Sequence, residues 1–319
     1  MSKPLIGVSY PGVTGKLAEK IRQMAAQFDY DVKIDKGVPD EWFEDCAIIF
    51  GYPKPAKVAG YRGLRWLQSS ASGIEKYMEP GILPESVLFT NAAGGYGNAI
   101  AEHVLGQLLM LYKRSIEYYG RQKESDWCRL GAMQEVEGSV ITLVGFGDLG
   151  QSIAKRLQPF GAVTRAVKRT EGQKPNTIHQ LYTTAQLDQA LEGADTVILC
   201  APETPETLNL LNRERIFSLK KGATLINVAR ASLLDQEALY EALREGRLGG
   251  ASLDVFTPEP LPSDSPFWAL PNVIITPHIA GGLANEKNVE NVVNIFLTNL
   301  EAYATGAPLI HVVDRQRKY

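Results

Sequence analysis

The 319-residue chain has little cysteine and little histidine, with three of the former and four of the latter. Cys46, Cys128 and Cys200 stand far apart, so neither a local metal knuckle nor a C-x-x-C redox pair can be built. No metal is expected, and a small odd count suits a reducing compartment. Long apolar runs are also missing: no stretch approaches ~18 uninterrupted apolar residues. The N-terminus goes straight into a strand-like run without the apolar segment of a secretory leader. A cytoplasmic protein with no membrane partner is expected. The formal net charge is −3, with no basic run beyond the 314–319 tail, so nucleic acid is not an expected partner. No internal repeat or low-complexity segment is apparent.

What the chain does have is a glycine pattern at residues 139–150, Ser-Val-Ile-Thr-Leu-Val-Gly-Phe-Gly-Asp-Leu-Gly. The β-branched run suits a strand buried on both faces, and Gly145, Gly147 and Gly150 give the G-x-G-x-x-G spacing. Gly145 allows the tight turn, Gly147 lets backbone approach a pyrophosphate, and Gly150 lets the next helix pack closely. That helix, Leu149 to about Phe160, would aim free N–H groups at phosphates. Three glycines alone also fit a merely structural turn. Here a strand precedes them and a second strand, Ala162–Val167, follows, which is the context a dinucleotide site requires.

Before the glycine motif, strands are expected at Leu5–Ser9, Ala47–Phe50, Leu64–Gln68 and Val87–Thr90, with a helix over Gly15–Phe28. One continuous helix is expected from Asn98 to about Tyr119, and 120–138 reads as a surface excursion. After the motif, strands at Thr196–Cys200, Ala223–Val228, Gly250–Asp254 and Val273–Thr276 alternate with helices near Thr184–Leu191, Arg213–Leu219 and Asp235–Glu245. A last helix, about Leu283–Thr305, is long enough to return to the first part. The expected fold is α/β, two Rossmann-like or flavodoxin-like parallel-sheet domains with a cleft between them. The expected division is a discontinuous substrate domain, 1–100 with 287–319, and a dinucleotide-binding Rossmann domain, 101–286.

Ligands in such sheets bind beyond the carboxyl ends of the strands. Arg230, Glu259 and His278 each stand just past a predicted strand, and a cation, a carboxylate and an imidazole suit the movement of a hydride and a proton. Of the four histidines, only His278 follows a buried strand at that edge. Plainer readings stay open: a loop histidine, a solvated loop acid, and an arginine on the surface or on cofactor phosphates. The small residues from Ser69 to Gly73, just after a strand, suit either backbone capture of an anion or an ordinary polar turn.

The strings Leu-Val-Gly-Phe-Gly-Asp-Leu-Gly, Leu-Ile-Asn-Val-Ala-Arg, Leu-Asp-Val-Phe-Thr-Pro-Glu-Pro-Leu-Pro and Thr-Pro-His-Ile-Ala-Gly closely resemble the D-isomer-specific 2-hydroxyacid dehydrogenases. The likeness runs from about Leu64 to Ala307. It implies reduction of a small 2-keto acid such as glyoxylate or hydroxypyruvate by NAD(P)H. By that resemblance Arg230 grips the substrate's carboxylate and keto oxygen, His278 is the acid–base group, and Glu259 is its partner. Ser72 and Gly73 match the loop that binds the substrate carboxylate, and Asp254 the position near the nicotinamide carboxamide. Ala201, Pro202 and Thr207 would line the adenosine side, and Val228, Ala229, Ala280 and Gly281 the nicotinamide end. Family members form a dimer arm at 120–138, so a homodimer is expected, with Trp127 as its apolar anchor.

Cofactor choice rests on the strand after the glycines, where relatives selective for NAD end in an acid and this chain offers Lys168 and Arg169. Two cations suit a 2′-phosphate, so NADP(H) is favoured, with NAD(H) as the alternative. Two residues depart from the family pattern. Ala231 stands where glycine is usual, and the charge of Asp148 would repel a pyrophosphate unless its side chain points away. Competing functions are a dinucleotide-sensing co-regulator on the same fold and a phosphoglycerate- or phosphite-type dehydrogenase.

Overall fold

The computed structural model describes residues 3–35, 43–282 and 285–316. The chain divides into two units, Met1–Tyr96 with Gly282–Tyr319, and Gly97–Gly281. Each is built on its own parallel sheet.

In the first unit the strands are β1 (Leu5–Ser9), β2 (Asp31–Ile34), β3 (Cys46–Gly51), β4 (Trp66–Ser69) and β5 (Leu88–Thr90), joined by α1 (Gly15–Gln27) and a short α2 (Pro55–Val58). Their order is β2-β1-β3-β4-β5 and every pairing is parallel. Alternation along β3 explains why both faces are covered: Ile48 and Phe50 face one core with Trp66, while Ile49 faces another with Leu67 and Phe89. β2 carries no signal in the sequence. It is an edge strand whose residues are half-buried or exposed, so it lacks the apolar run that marked its neighbours.

The second unit opens with α3 (Gly97–Tyr112) and α4 (Ser115–Lys123). The single helix expected over Asn98–Tyr119 is therefore two. Arg114 takes a left-handed conformation, φ +54°, and its guanidinium is held by the Glu117 carboxylate and the Leu130 carbonyl. No proline or glycine marks this break, and one of the partners that hold Arg114 stands 16 positions later. The strands are β6 (Val140–Val144), β7 (Val163–Lys168), β8 (Gln180–Thr183), β9 (Thr196–Leu199), β10 (Thr224–Asn227), β11 (Gly250–Leu253) and β12 (Val273–Ile275). Between them lie α5 (Asp148–Leu157), α6 (Leu187–Leu191), α7 (Arg213–Ser218) and α8 (Gln236–Arg244). The sheet order is β12-β11-β10-β9-β6-β7-β8, all parallel, so the winding reverses between β6 and β9. The edge strand β8, only partly buried, is silent in the sequence for the same reason as β2.

The last helix, α9 (Glu286–Thr305), starts at an Asn285 cap whose side chain accepts from the N–H groups of Lys287 and Asn288. The expected start at Leu283 lies outside the described residues. Its apolar stripe, Val289, Val292, Val293, Phe296 and Leu300, packs on the first sheet. Phe296 stacks on Phe50 with ring centroids 4.4 Å apart. Buried Asn299 joins Gln68 Oε1 at 2.9 Å to the Ile310 backbone. No helix among the described residues is long and apolar enough to cross a membrane.

Candidate active site

The turn after β6 sits where the winding of the second sheet reverses, the usual ligand position in such sheets. Gly145 has φ +109°, and a Cβ there would lie 2.5 Å from the Ala201 nitrogen, so both conformation and space demand glycine. A Cβ on Gly150 would run into the Gly145 carbonyl oxygen. Around Gly147 the space is open, with nothing within 4 Å of where a methyl group would stand, so its backbone is free to be approached by a ligand. Gly147 is also the N-cap of α5 and supplies no side-chain acceptor, which leaves the first N–H groups of the helix for an anion. These residues fit a dinucleotide pyrophosphate. Asp148 does not oppose it: its carboxylate lies against the N-terminus of α3, where a Cβ on Gly97 would collide with Oδ2. There the positive end of the helix dipole favours it.

Around that turn, Cys200 donates its thiol hydrogen to the Gly145 carbonyl at 2.9 Å, a brace that no sequence motif announces. Burial pushes this thiol up to about 12, so it serves as a neutral donor. Ala201 is buried beside it. The Thr207 hydroxyl accepts from the Thr204 N–H and donates to the Pro202 carbonyl, both at 2.7 Å, so it shapes the 202–207 loop. At the end of β7, Lys168 leans over Gly172 and Arg169 is exposed. Glu206 is held below the usual carboxylate range chiefly by a bond from Thr204, with the Arg169 charge contributing, so Arg169 and the 202–207 loop share one electrostatic neighbourhood.

Arg230 follows β10 in extended conformation. Asn227, at the end of that strand, fixes it by accepting from the Ala229 N–H at 3.0 Å and donating to the Arg230 carbonyl at 2.9 Å. The guanidinium donates to the Ala229 carbonyl at 2.7 Å. Ala231 is not among the residues with positive φ, so its methyl group is accommodated without strain. Val228 and Ala229 are buried at the strand end.

Glu259 and His278 meet directly, Oε2 to Nδ1 at 2.9 Å, with half of the imidazole exposed. The other carboxylate oxygen accepts from the Phe256 N–H at 3.0 Å, so Glu259 is anchored on one side and grips the ring on the other. Gln236 clamps the same loop through both the N–H and the carbonyl of Thr257. His278 itself has φ +53°, uncommon for a residue with a side chain and costly by about 1–3 kcal/mol. Asp254 over-determines that conformation. Its carbonyl accepts from the His278 N–H at 2.9 Å. Its buried carboxylate accepts from the Thr276 hydroxyl at 2.5 Å and from the N–H groups of Ile279 and Ala280 at 2.9 Å. Asp254 is thus the anchor of the 276–280 loop, a role with no signature in the sequence. Ala280 is buried on that loop, next to Gly281.

In the first unit, the Ser72 hydroxyl donates to the Ala92 carbonyl at 3.0 Å and its carbonyl accepts from Asn91. The N–H groups of Ser72 and Gly73 donate to no protein acceptor among the described residues. The Tyr96 hydroxyl, itself bonded to Tyr10, donates to the Ser70 carbonyl at 2.5 Å and steadies this loop. Among the described residues no three His, Cys, Asp or Glu side chains gather as a metal site.

Known proteins agree with this architecture. Residues 105–280 match the family model for the "D-isomer specific 2-hydroxyacid dehydrogenase, NAD binding domain". A glyoxylate/hydroxypyruvate reductase A of Serratia proteamaculans is 34% identical over 279 residues, covering 84% of this chain and 87% of that protein. A solved D-isomer specific 2-hydroxyacid dehydrogenase family protein of Aeromonas salmonicida superposes with a TM-score of 0.84 at 29% identity, covering 98% of this chain and 100% of that one. The NADPH-dependent glyoxylate/hydroxypyruvate reductase of Sinorhizobium meliloti, solved with NADP and sulfate, gives 0.84 at 25% identity, covering 99% and 100%. With a family match spanning more than half of its length and a relative aligned over most of both chains, this protein belongs to the D-isomer specific 2-hydroxyacid dehydrogenase family.

Proposed function

We propose that this chain is an NAD(P)H-dependent reductase of small 2-keto acids, yielding D-2-hydroxy acids, with glyoxylate and hydroxypyruvate as first candidates. The observation that carries the reading is the 2.9 Å bond between His278 Nδ1 and Glu259 Oε2, on a loop tied down by Asp254 in the same unit as the open glycine turn. The names of the relatives from Serratia and Sinorhizobium support the substrate class.

In this scheme Arg230 binds the substrate carboxylate and keto oxygen and stabilises the negative charge that develops on that oxygen. His278 delivers a proton to it from Nε2, while Glu259 holds Nδ1–H and so fixes the ring's tautomer and aim. Ser72 and Gly73 offer backbone N–H groups to the substrate carboxylate. NAD(P)H, when bound, would supply the hydride to the keto carbon. Gly145, Gly147, Asp148, Leu149 and Gly150 would hold its pyrophosphate, and Ala201, Pro202, Thr207, Val228, Ala229, Ala280 and Gly281 its two ends. Lys168 and Arg169 favour NADP(H) through the 2′-phosphate. The proposed assembly is a homodimer made through 120–138, a reading supported by the full exposure of Trp127.

The decisive experiment measures kcat/KM with NADPH and NADH across small and bulky 2-keto acids. Steady turnover of glyoxylate or hydroxypyruvate with preference for NADPH is expected, and cofactor binding without turnover would defeat the enzymatic reading. In the Lys168→Asp, Arg169→Ala variant the NADPH preference should fall or reverse; an unchanged preference sinks the 2′-phosphate argument.

A further inference from the structure

A seam of buried polar groups runs between α3 and β11 and ends at Asp254, which holds the His278 loop. Helix and strand pack against each other there. Leu111 Cδ2 lies 3.1 Å from the position of a Cβ on Gly250, which fixes one end. From Leu111, steps of four residues back along one face of α3 lead to Gln107 and His103, ~6 Å apart at 1.5 Å per residue. From Gly250, steps of two along one face of β11 and just past it lead to Ser252 and Asp254, ~6.6 Å apart. Gln107 therefore falls opposite Ser252, and His103 opposite Asp254. The far end has its own check, since the Asp254 charge acts on the His103 imidazole.

Three shielded polar atoms on this seam, His103 Nε2, Gln107 Oε1 and Ser252 Oγ, have no hydrogen-bond partner among the described residues. Gln107 and Ser252 are more than nine-tenths buried. Polar atoms so placed are normally bridged by ordered water. The direction of the bridge follows from the inventory of donors. The Asp254 carboxylate and Gln107 Oε1 only accept, so a water shared with them spends both its hydrogens there and takes a donor from the imidazole, which therefore carries its hydrogen on Nε2.

We propose that His103 is a positioning residue for the reaction. Through a buried water shared with Gln107 and Ser252, its Nε2–H supports the Asp254 carboxylate, which in turn fixes the loop that carries His278. The proposal rests on the reading of His278 as the proton donor. Asp254 already takes donors from Thr276, Ile279 and Ala280, and the register of α3 on β11 puts His103 on its helix side. Loss of this support would slow proton transfer by loosening the His278 loop and would leave the glycine turn untouched.

Two experiments test it. With only four histidines, 15N-labelled imidazole spectra of the unliganded protein resolve His103 directly. An Nε2–H tautomer is expected in the wild type, and in Asp254→Asn the His103 pKa should fall, because the charge that raises it is gone. An Nδ1–H tautomer, or a pKa indifferent to Asp254→Asn, overturns the proposal whether or not the protein turns over keto acids. Kinetically, His103→Leu should lower kcat with glyoxylate and NADPH five- to tenfold with little change in either KM, and His103→Gln should restore most of it. In the Asp254→Asn background His103→Leu should cost less than twofold; equal losses in both backgrounds would mean that the two residues act independently. Failure of the wild type to turn over keto acids would defeat the functional reading alone, with the spectra still deciding the coupling.

Discussion

In the proposed scheme His278 and Arg230 have separate duties, and their variants should fail differently. His278→Gln keeps a polar side chain but removes the acid, so kcat for glyoxylate reduction should fall by about 10²–10⁴-fold, with NADPH binding by fluorescence unchanged. Arg230→Ala removes the cation proposed to face the developing oxyanion and should cost about 10²–10³-fold, mostly in kcat/KM. Arg230→Lys should recover only part of this, because an ammonium cannot reproduce a planar fork. His103 gives a prediction about stability. Burial, the larger influence, pushes its imidazole below the usual value of 6.5, against the opposing Asp254 charge. The unfolded chain therefore takes up this proton first as pH falls. The neutral ring's contribution is complete above the unfolded pKa and is lost as pH drops from there toward the folded one. Urea midpoints measured between pH 7.5 and 5.5 should fall less in His103→Leu than in the wild type, and parallel profiles would refute the assignment.

Among the elements, the turn from β6 into α5 divides its three glycines by what surrounds them. Gly147 faces open space, so Gly147→Val should leave the melting temperature nearly unchanged yet weaken NADPH at least ~10-fold, about 1.4 kcal/mol. Gly150→Ala should do the reverse to the fold, since its methyl group meets the Gly145 carbonyl oxygen. Equal thermal losses in the two variants would contradict this division. Glycine spacing announced the turn, but Cys200, Asn227 and Gln236, which brace the turn and the loops after β10 and β11, went unnoticed. Each is a single polar residue whose partner is chosen by strand order: Cys200 reaches Gly145 across 55 positions because β9 lies beside β6.

For the molecule as a whole, the proposed dimer predicts a light-scattering mass of two chains, about 70 kDa from a 35.0 kDa chain, and a shift toward one chain in Trp127→Ser. A mass of one chain at micromolar concentration would end that proposal.

The order of residues alone was enough to specify the strands with continuous apolar runs, the β-turn-α at Gly145, and the placement of Arg230, Glu259 and His278 beyond strand ends. These are local signals: periodicity, glycine spacing and the polar residue after a buried run. Three-dimensional packing was needed to settle the break at Arg114, the two edge strands, the orientation of Asp148 toward α3, and the use of the Asp254 carboxylate as anchor of the 276–280 loop. Each of these depends on a partner distant in the chain or on a half-exposed edge, where burial no longer writes a pattern into the residues.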